Sequence, residues 1–76
     1  MSQEETIKRH IASHFNVSKD TIIPDTRLVD DLGADSLDSI EIVLAMETEF
    51  DIEIPDDDLD RVETVQDIIT IVQDLS

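Results

Sequence analysis

The chain has 76 residues, room for one domain with a small core. Twenty acidic residues against 5 basic ones give a net charge of −15, which speaks against nucleic acid and anionic membranes as partners and favours basic proteins. There is no cysteine, and so no disulfide, thiolate metal site or thiol nucleophile, and no apolar run reaches the ~18 residues that span a membrane.

The first five residues, Met1-Ser2-Gln3-Glu4-Glu5, are acidic and polar, unlike a signal or transit peptide. A cytoplasmic or similarly reducing compartment is expected, or an organelle stroma or matrix if a transit peptide has been removed. Ser2-Gln3-Glu4-Glu5 reads as a capping box that opens a first helix. Ile7, Ile11 and Phe15 then recur at helical spacing as one buried stripe. The helix should end near Phe15-Asn16, with Asn16 suited to its C-terminus. Residues 16 to 34 form a long connection containing Pro24, Gly33 and the apolar anchors Val17, Ile22, Ile23, Leu28, Val29 and Leu32. A connection of that length should pack its anchors down or hold a short turn. Gly33, the only glycine, is placed to adopt a backbone conformation that other residues resist.

A second helix is expected over roughly residues 36 to 50, with Asp35 as its N-cap. Ser36 then stands at the first helical position, its hydroxyl exposed beside unpaired backbone N–H groups. Such a position suits a phosphate ester. On a wheel of about 100° per residue, Ile42, Val43, Met46 and Phe50 share one arc, with Ser39 on the same side. Leu37, Ile40 and Leu44 fall on a second arc, with Glu47 on one edge, Glu41 and Thr48 on the other, and Asp38 and Glu49 further round. A surface helix needs only one apolar stripe, so the second is either another core contact or an exposed docking patch. Ile52-Glu53-Ile54-Pro55 should be extended, as the proline demands. Asp56 to Val62 can make one short helical turn. Thr64-Val65-Gln66-Asp67 caps a last helix, in which Val65, Ile68, Ile69, Val72 and Leu75 repeat at core spacing. The expected fold is all-α, a small four-helix bundle of three longer helices and one short, with a long first loop.

Other chemistries fit less well. Ser36 lacks a nucleophile elbow, because position 38 is Asp and not Gly, and the only histidines, His10 and His14, lie on the first helix. His10 and His14 are four residues apart, the spacing of a metal-binding pair, yet the sequence offers neither an HExxH arrangement nor an evident third ligand. They read as boundary histidines. Asp56-Asp57-Asp58 lacks the alternation and glycine of an EF-hand. Two acidic sets, Asp30, Asp35 and Asp38 at the start of the second helix and Glu47, Asp51 and Glu53 at its end, are suited at most to weak divalent binding. At this charge the fold should be firmer in salt or divalent cations.

The run Asp31-Leu32-Gly33-Ala34-Asp35-Ser36-Leu37-Asp38, followed by Glu47-Thr48-Glu49-Phe50-Asp51-Ile52-Glu53-Ile54-Pro55, resembles an acyl carrier protein. The likeness is closest to the discrete carriers of dissociated (type II) fatty acid synthesis and extends loosely over residues 1–76, one acyl carrier domain. It implies a carrier, not an enzyme, with 4′-phosphopantetheine attached to Ser36 by a carrier-protein synthase that uses coenzyme A and Mg²⁺. The arm's thiol would hold acyl chains as thioesters. The resemblance assigns Asp35, Leu37, Asp38, Ile40, Glu41, Leu44 and Glu47 to docking on acyl-processing enzymes with basic patches. It gives Phe50, Ile54, Val62 and Ile68 as residues lining a sheltered acyl chain. Thr48, His10 and Ile71 depart from the usual pattern, which leaves the pathway open among fatty acid, polyketide, aminoacyl and specialised lipid carriers. An acidic interaction module without a prosthetic group is the remaining alternative. A monomer is expected.

Overall fold

The computed structural model describes residues 3–76. Helix α1 covers Gln3–Phe15, α2 Ser36–Phe50, α3 Asp56–Leu59 and α4 Val65–Leu75, with a single 3₁₀ turn at Lys19–Thr21 in the first loop. The expected capping box at Ser2 lies outside the described residues. Helix α1 packs against both α2 and α4, and α3 rests on α2. Ile7 and Ile11 from α1, Ile42, Val43 and Met46 from α2, and Val65, Ile68, Ile69 and Val72 from α4 close one core. Leu75 lies outside it: the last turn of α4 is exposed and its fifth apolar position faces water.

Both α1 and α2 stop at a residue in the left-handed region, Asn16 at φ 56° and Asp51 at φ 55°. The chain then folds back, and Val17 and Ile52 each donate an N–H to the carbonyl five residues earlier, Ala12 and Glu47. This satisfies carbonyls that a helix end otherwise leaves unpaired.

The long connection is tied down at its middle. Ile22 and Leu28 are buried in the core and Leu32 is half-buried, while Val17, Ile23 and Val29 are exposed. Only half of the expected anchors therefore anchor, because the loop winds in short turns that bring alternate residues to the surface. Thr26 lies against the start of α4, where its carbonyl and that of Pro24 accept the N–H groups of Val65 and Gln66 at 3.0 and 2.9 Å. Thr64 caps the same helix, its Oγ1 accepting from Asp67 N–H while Asp67 Oδ2 accepts from Thr64 N–H. Loop and helix thus satisfy each other's polar groups. Residues 27–34 make a further tight turn, in which Gly33 donates to Val29 C=O and Ala34 to Leu28 C=O. Gly33 takes φ 71°, the conformation it alone adopts without penalty. This turn delivers the chain to the start of α2.

Candidate functional site

Asp35 and Asp38 fix the entrance to α2. Asp35 Oδ1 accepts the Asp38 N–H at 2.9 Å and Asp38 Oδ2 accepts the Asp35 N–H at 3.1 Å, a reciprocal capping box. Ser36 is the first residue of the helix and is exposed. The box uses the donors at either side, and the N–H groups of Ser36 and Leu37 lie between them, beside the hydroxyl.

Leu37, Ile40 and Leu44 share one face of α2 and are 61%, 45% and 56% exposed. The second stripe is therefore a surface strip and not a further core contact. The first arc does face inward: Ile42, Val43 and Met46 are buried, and Phe50 packs partly against the core.

The acids around the strip also have duties inside the fold. Glu47 Oε2 accepts the N–H of Ile54 at 2.9 Å, which pins the loop between α2 and α3. Asp38 Oδ1 lies 2.9 Å from Nε2 of His14 on α1, and Glu41 Oε2 lies 3.7 Å from the same nitrogen. The bond from His14, then that from the Asp35 backbone, holds the Asp38 carboxyl below the ordinary aspartate range. One turn earlier, His10 Nε2 meets Glu49 Oε1 at 2.8 Å. These bonds are invisible to a helical wheel, which shows the directions of side chains but not their reach.

A groove of about 590 Å³ opens beside Ser36, between α2 and the α3 segment. Val29, Ala34, Ile40, Leu59 and Val62 supply its apolar wall, and Asp35, Ser39, Asp56 and Asp60 its polar one. Of the four residues expected to line an acyl chain, Val62 lies on this groove. Ile54 and Ile68 are buried in the core, and Phe50 packs on it. Sequence reasoning missed Val29 and Leu59, although an exposed valine beside Gly33 and the lone leucine of an acidic turn were signals to hand.

The two acidic sets expected for divalent ions are drawn in different directions. Asp30 pairs with Arg27 at 3.3 Å, Asp35 is in the capping box, Asp38 meets His14, and Glu47 turns to Ile54. Among the described residues neither set converges; the three donors that do are His14, Asp38 and Glu41. Among the described residues no helix is long and apolar enough to cross a membrane.

Residues 5–72 match the profile of a family described as the phosphopantetheine attachment site. The chain belongs to the acyl carrier protein family. A solved structure from Mycobacterium tuberculosis, described as "a putative acyl carrier protein", is 36% identical, with a TM-score of 0.89 over 95% of this chain and 96% of that one. The acyl carrier protein of Enterococcus faecalis is 33% identical, with a TM-score of 0.82 over 96% of this chain and 92% of that one. Acyl carrier proteins are carriers and not enzymes, and their prosthetic group is phosphopantetheine. They work with a carrier-protein synthase and with acyl-processing enzymes. The all-α bundle of three long helices and one short agrees with that fold.

Proposed function

We propose that this carrier protein holds acyl chains as thioesters on a 4′-phosphopantetheine arm attached to Ser36, and that it serves fatty acid synthesis in a cytoplasmic or equivalent compartment. The observation that carries the reading is the exposed Ser36 hydroxyl at the start of α2, with an exposed apolar strip on one side and a groove on the other. The residues fit the group. A phosphodiester at Ser36 would sit beside the Ser36 and Leu37 N–H donors, and the groove gives the arm or a short acyl chain an apolar shelter. The arm supplies the thiol that a chain without cysteine lacks.

The protein's own part is delivery. Leu37, Ile40 and Leu44 would enter an apolar pocket on a partner, and Asp35, Asp38, Glu41 and Glu47 would meet a ring of Lys and Arg around it. Charge of this density accelerates encounter, while a strip of three side chains keeps the interface small enough for hand-off between enzymes. Val62 faces the cargo in the groove; Phe50, Ile54 and Ile68 would line a chain only if it entered the core.

Incubation with coenzyme A, Mg²⁺ and a carrier-protein synthase should add about 340 Da to the intact mass, the size of a phosphopantetheinyl group. Ser36→Ala should fold normally and gain nothing. Absence of the gain in the unaltered chain, or its persistence in Ser36→Ala, would overturn the assignment. Acylation of the loaded protein by fatty acyl rather than aminoacyl ligases would support the fatty acid pathway.

A further inference from the structure

The histidine pair on α1 is not absorbed by the carrier function. In the sequence no further donor is evident beside the pair; the fold brings two to His14 alone. His14 Nε2 lies 2.9 Å from Asp38 Oδ1 and 3.7 Å from Glu41 Oε2, and the three donor atoms all fall within 4.8 Å of one another. We propose that His14, Asp38 and Glu41 form a transition-metal site of the zinc class, bridging α1 and α2.

The donor set decides the class of ion. Calcium and magnesium prefer all-oxygen shells, whereas one imidazole with two carboxylates suits zinc. Ligand bonds of about 2.0–2.1 Å in a tetrahedron put neighbouring donors about 3.3 Å apart, and the two separations from His14 lie on either side of that length. Small rotamer adjustments would therefore close the site. The Asp38 carboxylate is also oriented from outside the cluster, since its Oδ2 accepts the Asp35 N–H. The His14 ring stands edge-on to Phe15, with centroids 4.9 Å apart. A groove of about 210 Å³ lined by His10, Ser13, His14 and Glu41 leaves a side of the cluster open to a water ligand. His10 is not among the three ligands, being bonded to Glu49.

The protons balance simply. Without metal, Nε2–H of His14 donates to the Asp38 carboxylate. On binding, Nε2 must present its lone pair to the ion: from the imidazolium the Nε2 proton leaves to solvent and Nδ1–H remains, whereas the neutral Nε2–H tautomer shifts its proton to Nδ1 with none released, so protons compete with the ion for Nε2. The bound ion would neutralise two of the acids flanking the docking strip. That consequence rests on the docking reading, whereas the site itself does not.

The test is calorimetric titration of the full chain with Zn²⁺ at near-neutral pH, alongside His14→Gln and His10→Gln, with circular dichroism to confirm that each is folded. The unaltered chain should bind one ion, His14→Gln should bind about tenfold more weakly or worse, and His10→Gln should match the unaltered chain. Excess Ca²⁺ should leave the bound Zn²⁺ in place. Equal affinity in His14→Gln, or ready displacement by Ca²⁺, would mean diffuse attraction to an acidic surface and would overturn the site. An equal loss in His10→Gln would overturn this choice of ligands. None of these outcomes depends on loading at Ser36.

Discussion

Replacing Leu37 by alanine separates docking from folding. The side chain is 61% exposed in the free protein. Complete burial of a leucine yields about 1.5–3 kcal/mol, so a partner that covers the open part gains about 1–2 kcal/mol from it. At 1.4 kcal/mol per factor of ten, Leu37→Ala should raise Kd or KM for a docking enzyme by about 5- to 30-fold. The cost to the fold should be small. Most of the side chain has no core contact to lose, and alanine is at least as good a helix former. The contrasting control is Met46→Ala on the same helix. Met46 is fully buried, and its truncation should cost about 2–5 kcal/mol of stability. The assay pairs the steady-state kinetics of phosphopantetheine transfer, with the carrier protein as varied substrate, with thermal melts of each variant. An unchanged KM for Leu37→Ala would show that the strip is not the docking surface. A loss of stability comparable with that of Met46→Ala would show that Leu37 belongs to the core after all.

Two further predictions follow from the backbone and from titration. A Cβ built on Gly33 meets nothing within 4 Å, so Gly33→Ala carries only the left-handed penalty of about 1–2 kcal/mol, partly offset by a less entropic unfolded chain. A net loss of about 1 kcal/mol, or about 4–8 °C in Tm, is expected; a loss above about 3 kcal/mol would mean the turn is crowded. The Asp38 carboxyl is held below its ordinary value chiefly by His14, so its contribution to stability is complete above the unfolded carboxylate value of about 3.9 and is lost as pH falls through the lower, folded one. In the presence of a chelator, His14→Gln should therefore flatten the acid limb of a Tm–pH curve below about pH 4. An unchanged slope would refute the coupling.

The helices were legible because they rest on local information. The period in Ile42, Val43 and Met46 sets the inner face of α2, and the Asp35–Asp38 and Thr64–Asp67 pairs mark two helix starts within three residues each. The apolar strip was legible as a second arc, though only the fold shows it to be open. The long connection was not, because no period governs it: Ile22 and Leu28 turn inward while Ile23 and Val29 turn out. The acids were misleading for a related reason. Asp38 and His14 are 24 residues apart in the chain, and Glu47 reaches seven residues on to Ile54, so neither bond leaves a pattern in a local window.

The charge of this chain solves a problem that the strip creates. Three large apolar side chains on one exposed face are a liability in water, since two copies can bury them against each other. Here every copy carries the same excess of anions, and carboxylates stand on the same helix as the strip. Like charge opposes the approach of a second copy over a Debye length of about 8 Å at physiological ionic strength, well before the apolar side chains can touch. The same field attracts a basic surface. If the strip docks on basic partners as proposed, selectivity for them over self needs no special shape in the strip, only the sign of its surroundings. The acids can meet this requirement while also capping α2, bonding His14 and pinning the loop after α2, because a carboxylate engaged in a hydrogen bond keeps its charge.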